Sequence, residues 1–499
     1  MLSWWVCTLA FSQTGKLLIE KVTVVSPHRI GRHEVKDVYI EKGLISKIEN
    51  KIDLKKTKGV QIIKGEGKYL IPGLIDGNVQ LQTVPGMSWD QQQKLGKLRA
   101  IYYRQMPKSF LYYGFTTVIN TNVLDPAFLK DFEQIPLKPD VVHCGQALTP
   151  INGYPMVLFP QSEQFLKFPN FIVDEKQKSL LPKGEKFGKH QIPAAMANIK
   201  KMGGVCAKAY VEPGEGKEFW PVFSEAQLKT LSAEAANKKL PLMVHSRSMK
   251  MFDKILNHSP AMLSHGLSLW EAEDKHTGVP ENVRNMLDRV IQGKVGYMAG
   301  LRLDEGDQLL FDSPTGKLQD LTVFKEARWL AVTPLELQDF YKSRDAYGYP
   351  RKVASGHDVS AQKTPKDKFK AIYQKLEASV GRGKRALKYV ADFNGNVLFG
   401  SGTGETGSFI NMPGLNGFRE IVSMAKSETT PDVLFKAVTI NTAKAFGLEK
   451  SLGSVEVGKK ANLLLLKENP LNNVKAYEQI EVIIIGGQHI ERAGLAAQL

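Results

Sequence analysis

Short apolar runs that alternate with amphipathic helical stretches are the feature that most restricts the fold of this 499-residue chain. Runs of four to eight residues followed by helix-like sequence indicate βα units around a parallel sheet. A strand is predicted over 69–80. The further runs are "TTVINT" (116–121), "VVHCG" (141–145), "VCAKAYV" (205–211), "PLMVHS" (241–246), "AMLSHG" (261–266) and "NVLFGSGT" (396–403).

An eighth strand is needed to complete a barrel of this kind. Both "VGYMAG" (295–300) and "RWLAVTP" (328–334) have the required apolar character, and the sequence does not decide between them. Eight βα units close into a (β/α)₈ barrel, whose active site lies at the carboxyl ends of the strands. The predicted fold class is therefore α/β, with the chemistry expected at those strand ends.

Two β-rich segments bracket this central region. Near the amino end, "KLLIEKVTVVSP" and "VKDVYIEKGLISKIEN" alternate apolar and polar residues, as half-buried strands do. Near the carboxyl end, "ANLLLLKENPL" and "YEQIEVIIIGGQHI" have the same texture with glycine-rich turns. A second, all-β unit is expected from these two segments.

The first residues, "MLSWWVCTLAFSQTGK", are apolar up to Phe11 and then become polar. This pattern is typical of a secretory signal over 1–12, although a positively charged start is missing. The alternatives are a misassigned start and an apolar first strand. We expect export to the periplasm or the outside if the signal is real, and a cytoplasmic protein otherwise. No other window approaches eighteen uncharged apolar residues, so no internal membrane span is predicted.

The three cysteines are Cys7, Cys144 and Cys206. The last two fall inside predicted strands, where buried free thiols are expected. No CxxC spacing occurs, so neither a zinc knuckle nor a thioredoxin-type pair is indicated.

The formal charge is +16, and the segment 351–390 supplies about half of it, with eleven basic against three acidic residues. A basic segment suggests either a nucleic-acid surface or a solvated helical face. The helical interpretation is favoured because apolar residues recur there at the spacing of a buried helix stripe. These residues are Phe369, Ile372, Tyr373, Leu376 and Val380. No nucleic-acid partner is predicted.

Three predicted strands contain or end in groups that hold metals in other proteins. Lys208 lies in "CAKAY", His245 ends "PLMVH" and His265 ends "AMLSH". Imidazole nitrogen suits zinc and similar ions. A lysine suits a metal site only if its amine is neutral or carboxylated.

Two blocks and this ordered series resemble the amidohydrolase superfamily, in the branch of imidazolonepropionases and Xaa-Pro dipeptidase-like proteins. The blocks are "GKYLIPGLID" (67–76) and 411–471, which contains "TINTAKAFG" and "GSVEVGKKA". The resemblance implies a (β/α)₈ barrel with a small β-sandwich built from both termini. It places sandwich segments at 13–69 and 449–499 and a barrel at 70–448, after the possible leader at 1–12.

The resemblance also implies six ligand positions: two His on strand one, a carboxylated Lys on strand four, a His each on strands five and six, and an Asp on strand eight that is also the general base. Lys208, His245 and His265 match. The other three positions carry Asn78, Gln80 and Gly404.

The missing base has three candidate replacements: Glu405, His143, and the pair His357-Asp358 in "SGHDVS". Glu405 follows Gly404, but neighbouring residues of a strand point to opposite faces, so it reaches the site only if the strand bulges or turns. His143 ends strand three, beside the strand of Lys208.

Two functions follow from this altered site. The first is a hydrolase of C–N bonds in amide or peptide-like ligands, with at most one zinc or similar divalent ion on carboxylated Lys208 and the two histidines. The second is a non-catalytic relative that binds a small-molecule ligand or a partner. A homo-oligomer, or pairing with an active paralogue, is expected in either case.

Overall fold

A computed structural model describes residues 15–31, 33–53, 58–214, 219–405 and 407–497. The predicted leader at 1–12 and Cys7 lie outside these residues. The described strands are β1 (Lys16–Val24), β2 (Glu34–Glu41), β3 (Leu44–Glu49), β4 (Val60–Lys64), β5 (Tyr69–Pro72), β6 (Leu74–Val79), β7 (Phe115–Asn120), β8 (Asp140–His143), β9 (Thr149–Pro150), β10 (Phe171–Ile172), β11 (Ala207–Tyr210), β12 (Leu242–His245), β13 (Met262–Leu263), β14 (Gly296–Met298), β15 (Val397–Leu398), β16 (Leu463–Leu466), β17 (Ile480–Ile485) and β18 (Gln488–Glu491).

Helices follow most of the central strands. The described α-helices are α1 (Trp89–Lys94), α2 (Gly96–Tyr112), α3 (Pro126–Glu133), α4 (Gln161–Lys167), α5 (Ile192–Lys201), α6 (Glu225–Lys238), α7 (Met249–Leu256), α8 (Glu281–Gln292), α9 (Arg302–Gln308), α10 (Ala327–Leu330), α11 (Leu335–Lys342), α12 (Gly348–Ser355), α13 (Pro365–Asp392), α14 (Leu415–Lys426), α15 (Pro431–Lys436) and α16 (Thr442–Ala445).

The two β-rich ends of the chain meet in one eight-stranded sheet. Its order is β18-β17-β16-β5-β1-β2-β3, and β4 also pairs with β1. Antiparallel pairing of β16 with β5 joins the carboxyl-terminal strands to the amino-terminal ones. The union of both ends in one β unit is as expected, while the two-layered sandwich stays a prediction.

The central strands form two parallel sheets, β6-β7-β8 and β11-β12-β13-β14-β15. Backbone hydrogen bonds connect their edges: Val205 N–H donates to His143 O at 2.9 Å, and Gln80 N–H donates to Thr403 O at 2.7 Å. Eight parallel strands in this order, linked at both edges, form an α/β fold consistent with a (β/α)₈ barrel.

The structure resolves the choice of the eighth central strand. β14 lies within "VGYMAG", whereas "RWLAVTP" includes part of α10. The single strand predicted over 69–80 is wrong, because the chain changes sheets at Gly73: β5 joins the outer sheet and β6 a central one. A Cβ at Gly73 would lie 1.9 Å from Thr116 Oγ1, so only glycine fits this crossing point.

Cys144 and Cys206 form a disulfide, so the prediction of two free thiols is wrong. Both residues are fully buried. They are 62 residues apart in sequence, but they flank neighbouring strands and their Cα atoms are 4.4 Å apart. That separation lies at the short end of the range that a disulfide bridges.

Residues 365–390 of the basic segment lie in the long helix α13, as their periodicity predicted. Ile372, Leu376 and Val380 are buried, and Phe369 and Tyr373 are partly buried against the same core. The apolar residues of the segment therefore pack inward. Within the described ranges, no helix is both long enough and apolar enough to cross a membrane.

Candidate metal centre

Four chemically reactive side chains converge where the central strands end. Lys208 lies on β11, His245 ends β12, His265 follows β13, and Glu405 follows β15. Each of these side chains is at most 2% exposed. The ordered series identified in the sequence is thus brought together in one buried site.

Glu405 is the centre of this site. Lys208 forms an ion pair with Oε1, and Gln80 Nε2 donates to the same oxygen at 3.3 Å. His265 Nε2 donates to Oε2 at 2.6 Å, and Asn78 Nδ2 donates to it at 3.2 Å. Two positions where the family resemblance implies histidine therefore carry amides that bind this carboxylate.

A turn brings the side chain of Glu405 into the site. Such a turn is needed because neighbouring residues of a strand point to opposite faces, and Glu405 follows the expected ligand position at Gly404. Gly402 and Gly404 have φ values of 67° and 84°, and Glu405 N–H donates to Gly402 O at 3.0 Å. Both φ values lie in the left-handed region that favours glycine. The strand therefore ends before Glu405, and its alternation no longer decides where that side chain points.

Gly404 admits no side chain, and this gives a testable expectation. A Cβ there would lie 2.1 Å from Gln80 O and 2.7 Å from Thr83 Oγ1. We expect Gly404→Ala to lower the free energy of unfolding by about 3 kcal/mol, from left-handed strain plus the clash, and to displace Glu405.

Gly402→Ala is the matched control for this substitution. Its Cβ would have no neighbour closer than 3.6 Å, so only backbone strain of about 1 kcal/mol applies. Urea denaturation of both variants measures the difference. Equal losses of stability would contradict the packing assigned to Gly404.

Lys208 has the partners of an ammonium group. In addition to its ion pair with Glu405, Lys208 Nζ donates to Asn78 Oδ1 at 3.1 Å and to Thr121 Oγ1 at 3.2 Å. The Thr121 hydroxyl donates in turn to Asn78 Oδ1 at 2.8 Å. An ammonium has three N–H donors and no acceptor, so these three acceptors satisfy it completely.

Burial and charge act against each other in this site. Burial acts to raise the pKa of Glu405, but the charges of Lys208 and His265 outweigh it and hold that pKa well below its usual range. Burial lowers the pKa of Lys208, against the opposing effect of Glu405. Burial, followed by the charge of His265, lowers the pKa of His245 well below its usual range. Glu405 is therefore ionised, and His245 is a neutral imidazole able to bind a metal.

The donor set fits one divalent ion. His245, His265 and Glu405 each offer one ligand atom, and these atoms all lie within 4.8 Å of one another. Nδ1 of both histidines is buried with no hydrogen-bond partner among the described residues, which is costly unless a ligand satisfies it. Two histidines and one carboxylate are a known donor set of catalytic zinc. The side-chain amides of Asn78 and Gln80 both donate to Glu405.

Aromatic side chains cover the site. The Tyr154 ring lies 5.3 Å from Trp220, 5.6 Å from Tyr210 and 5.2 Å from His245, measured between centroids. Tyr210 OH also accepts a hydrogen bond from Gln80 Nε2 at 3.0 Å. The rings of Tyr154 and Tyr210 therefore both lie against the imidazole of His245.

Sequence reasoning missed these aromatic residues. Tyr210 is two positions from Lys208 and so shares its strand face, a signal that was present in the sequence. Tyr154 and Trp220 come from connecting segments, where no periodicity indicates them.

His143 is not part of the site. It is half-buried, and its Nδ1 accepts a hydrogen bond from Gly145 N–H at 3.1 Å. Burial lowers its pKa, and the charge that opposes this lowering is Glu133 of α3. Its neighbour Cys144 is buried in the core between the central strands.

Comparisons with known proteins point in one direction. Residues 368–490 match the model of the amidohydrolase family. A solved Xaa-Pro dipeptidase with bound methionine in the active site has a TM-score of 0.65 at 17% identity, over 96% of this chain and 100% of that one. A putative prolidase from Bifidobacterium longum gives 0.62 at 17%, over 95% and 94%. An A. niger ochratoxinase gives 0.64 at 16%, over 96% of each chain. No curated protein sequence matches. At these identities the structural likeness concerns the fold.

Proposed function

We propose that the chain is a member of the amidohydrolase superfamily and that it hydrolyses C–N bonds of small amide or peptide-like molecules with one divalent ion. The ion is held by His245, His265 and Glu405. The observation that carries the proposal is the convergence of three buried ligand atoms within 4.8 Å. Similar solved structures include a prolidase, an ochratoxinase and a molinate hydrolase, which supports the class of reaction.

The residues of the site have distinct roles in this proposal. A bound divalent ion would polarise the amide carbonyl and lower the pKa of water. Glu405 both binds the ion and accepts the proton of the attacking water at a carboxylate oxygen. Because its pKa is held low, Glu405 is a weak base at neutral pH, and slow turnover is expected. The rings of Tyr154 and Trp220 exclude water from the site and contact the substrate.

One observation favours the second candidate function, ligand binding without hydrolysis. Lys208 and Glu405 neutralise each other, and the amides of Asn78 and Gln80 complete a network that is satisfied without any ion. A protein with this network would keep a polar site under an aromatic cover and bind an amide-type ligand there. The two candidates differ in whether an ion displaces part of the network.

Export is also part of the proposal. The leader-like sequence at 1–12 suggested it, and the disulfide between Cys144 and Cys206 supports it, because such bonds persist mainly in oxidising compartments. Removal of the leader would take away Cys7 and leave both remaining cysteines paired. The homo-oligomer and the pairing with an active paralogue stay predictions.

Hydrolysis assays test the main proposal. The protein, loaded with Zn²⁺ or Co²⁺, is incubated with a panel of Xaa-Pro dipeptides, N-acyl amino acids and aryl amides. We expect hydrolysis of at least one class, with the rate reduced roughly 100-fold or more in His265→Ala, because the substitution removes a metal ligand.

His258→Ala is the matched control, since His258 pairs with Glu225 outside the site. It should retain the wild-type rate. Hydrolysis of no member of the panel by ion-loaded protein would favour the binding function. Equal rates in wild type and His265→Ala would show that the activity does not arise from this site.

A further inference from the structure

The position of Lys208 has a consequence for how the site holds a metal. We infer that Lys208 is the internal counter-ion of Glu405, not a carboxylated metal ligand, and that its ammonium weakens the binding of a divalent ion. This inference deepens the proposed function, since it concerns the same three ligands.

The first argument is the direction of the hydrogen bonds. Lys208 Nζ is surrounded by three acceptors, namely the Glu405 carboxylate, Asn78 Oδ1 and Thr121 Oγ1. The side chain is completely buried. All three N–H groups of an ammonium are satisfied here, which is the arrangement that a buried cation requires.

The second argument is what a carboxylated lysine would meet. Its anionic oxygens are acceptors, and they would face the Glu405 carboxylate and the Asn78 amide oxygen. Three of the nearby donors, Asn78 Nδ2, Gln80 Nε2 and His265 Nε2, already donate to Glu405. Without a bound ion, two anions in this buried site would repel each other strongly.

Competition with the metal follows from the shared carboxylate. Glu405 presents Oε1 to Lys208 and Oε2 to His265. An ion bound by His245, His265 and Glu405 would lie close to the fixed positive charge of Lys208. That charge repels the ion and reduces the negative charge that Glu405 offers it.

The test is a metal titration of the Lys208→Met variant. Methionine keeps the length and apolar stem of lysine but removes the charge. We expect Zn²⁺ or Co²⁺ to bind at least about tenfold more tightly than to wild type, measured by isothermal titration calorimetry, because a nearby like charge has been removed. Unchanged affinity, or loss of binding, would overturn the inference.

Lys459→Met is the matched control. Lys459 is also a largely buried lysine, but it donates to Ser454 and pairs with Glu456, away from the site. Its replacement should leave metal affinity at the wild-type value, so that a change in Lys208→Met reports the local charge.

A second measurement needs no variant. Wild-type protein is incubated with ¹³C-labelled bicarbonate and Zn²⁺, and its ¹³C NMR spectrum is recorded. We expect no carbamate resonance; a protein-bound carbamate signal would overturn the inference. Both measurements are made without substrate, so failure to hydrolyse any amide would refute the proposed activity and leave this inference intact.

Discussion

Replacing Glu405 by Gln is expected to lower the free energy of unfolding by about 3–5 kcal/mol, because it leaves a buried lysine without its counter-ion. Lys208 is fully buried and Glu405 is its only carboxylate partner among the residues that the structure describes. The amide retains one acceptor oxygen, but an NH₂ group in the place of Oε2 would face the donors of Asn78 and His265. Urea denaturation with and without the substitution measures the effect.

A double-mutant cycle isolates the ion pair from the other contacts of Glu405. Lys208→Met alone leaves a buried carboxylate unpaired and should be similarly costly. The combination Lys208→Met with Glu405→Gln removes both charges, so it should be much more stable than the sum of the single losses predicts. Strict additivity would mean that the two groups do not interact, which would contradict the arrangement described for this site.

The Cys144→Ala, Cys206→Ala double variant should also lose about 4 kcal/mol, because the disulfide closes a loop of 62 residues and restricts the unfolded chain. The bond joins segments beside β8 and β11 within the core, so its loss also removes a connection beside the strand of Lys208. The variant is compared with wild type by urea denaturation under non-reducing conditions.

Reduction provides the control for the double variant. Wild type unfolded and refolded with a thiol should have the stability of the double variant, whereas a thiol should leave the variant itself unchanged. Equal stability of the oxidised wild type and the variant would contradict a disulfide in the folded protein.

Strand positions were predictable because period and length are local properties of the sequence. The runs around 116–121, 205–211 and 241–246 contain strands at the predicted places. The eighth strand was not predictable, because "VGYMAG" and "RWLAVTP" are equally short and apolar. Only the pairing of β14 with its neighbouring strands in the fold shows which of the two segments is the strand.

The chemistry of the site was predictable in part. Lys208, His245 and His265 converge because parallel strands present their carboxyl ends at one edge. Strand alternation did not predict the direction of the Glu405 side chain, because Gly402 and Gly404 end the strand with a turn. These two glycines of "SGTGE" were the signal in the sequence that could have indicated the turn. The disulfide between Cys144 and Cys206 was not predictable, because the sequence does not show that their two strands are neighbours in the sheet.

The number of divalent ions bound per chain tests the central claim most directly. The protein is saturated with Zn²⁺, excess Zn²⁺ is removed by gel filtration, and the zinc bound per chain is measured by elemental mass spectrometry. The proposed site predicts one ion per wild-type chain and none in His265→Ala. Two ions per chain, or none in wild type, would contradict it.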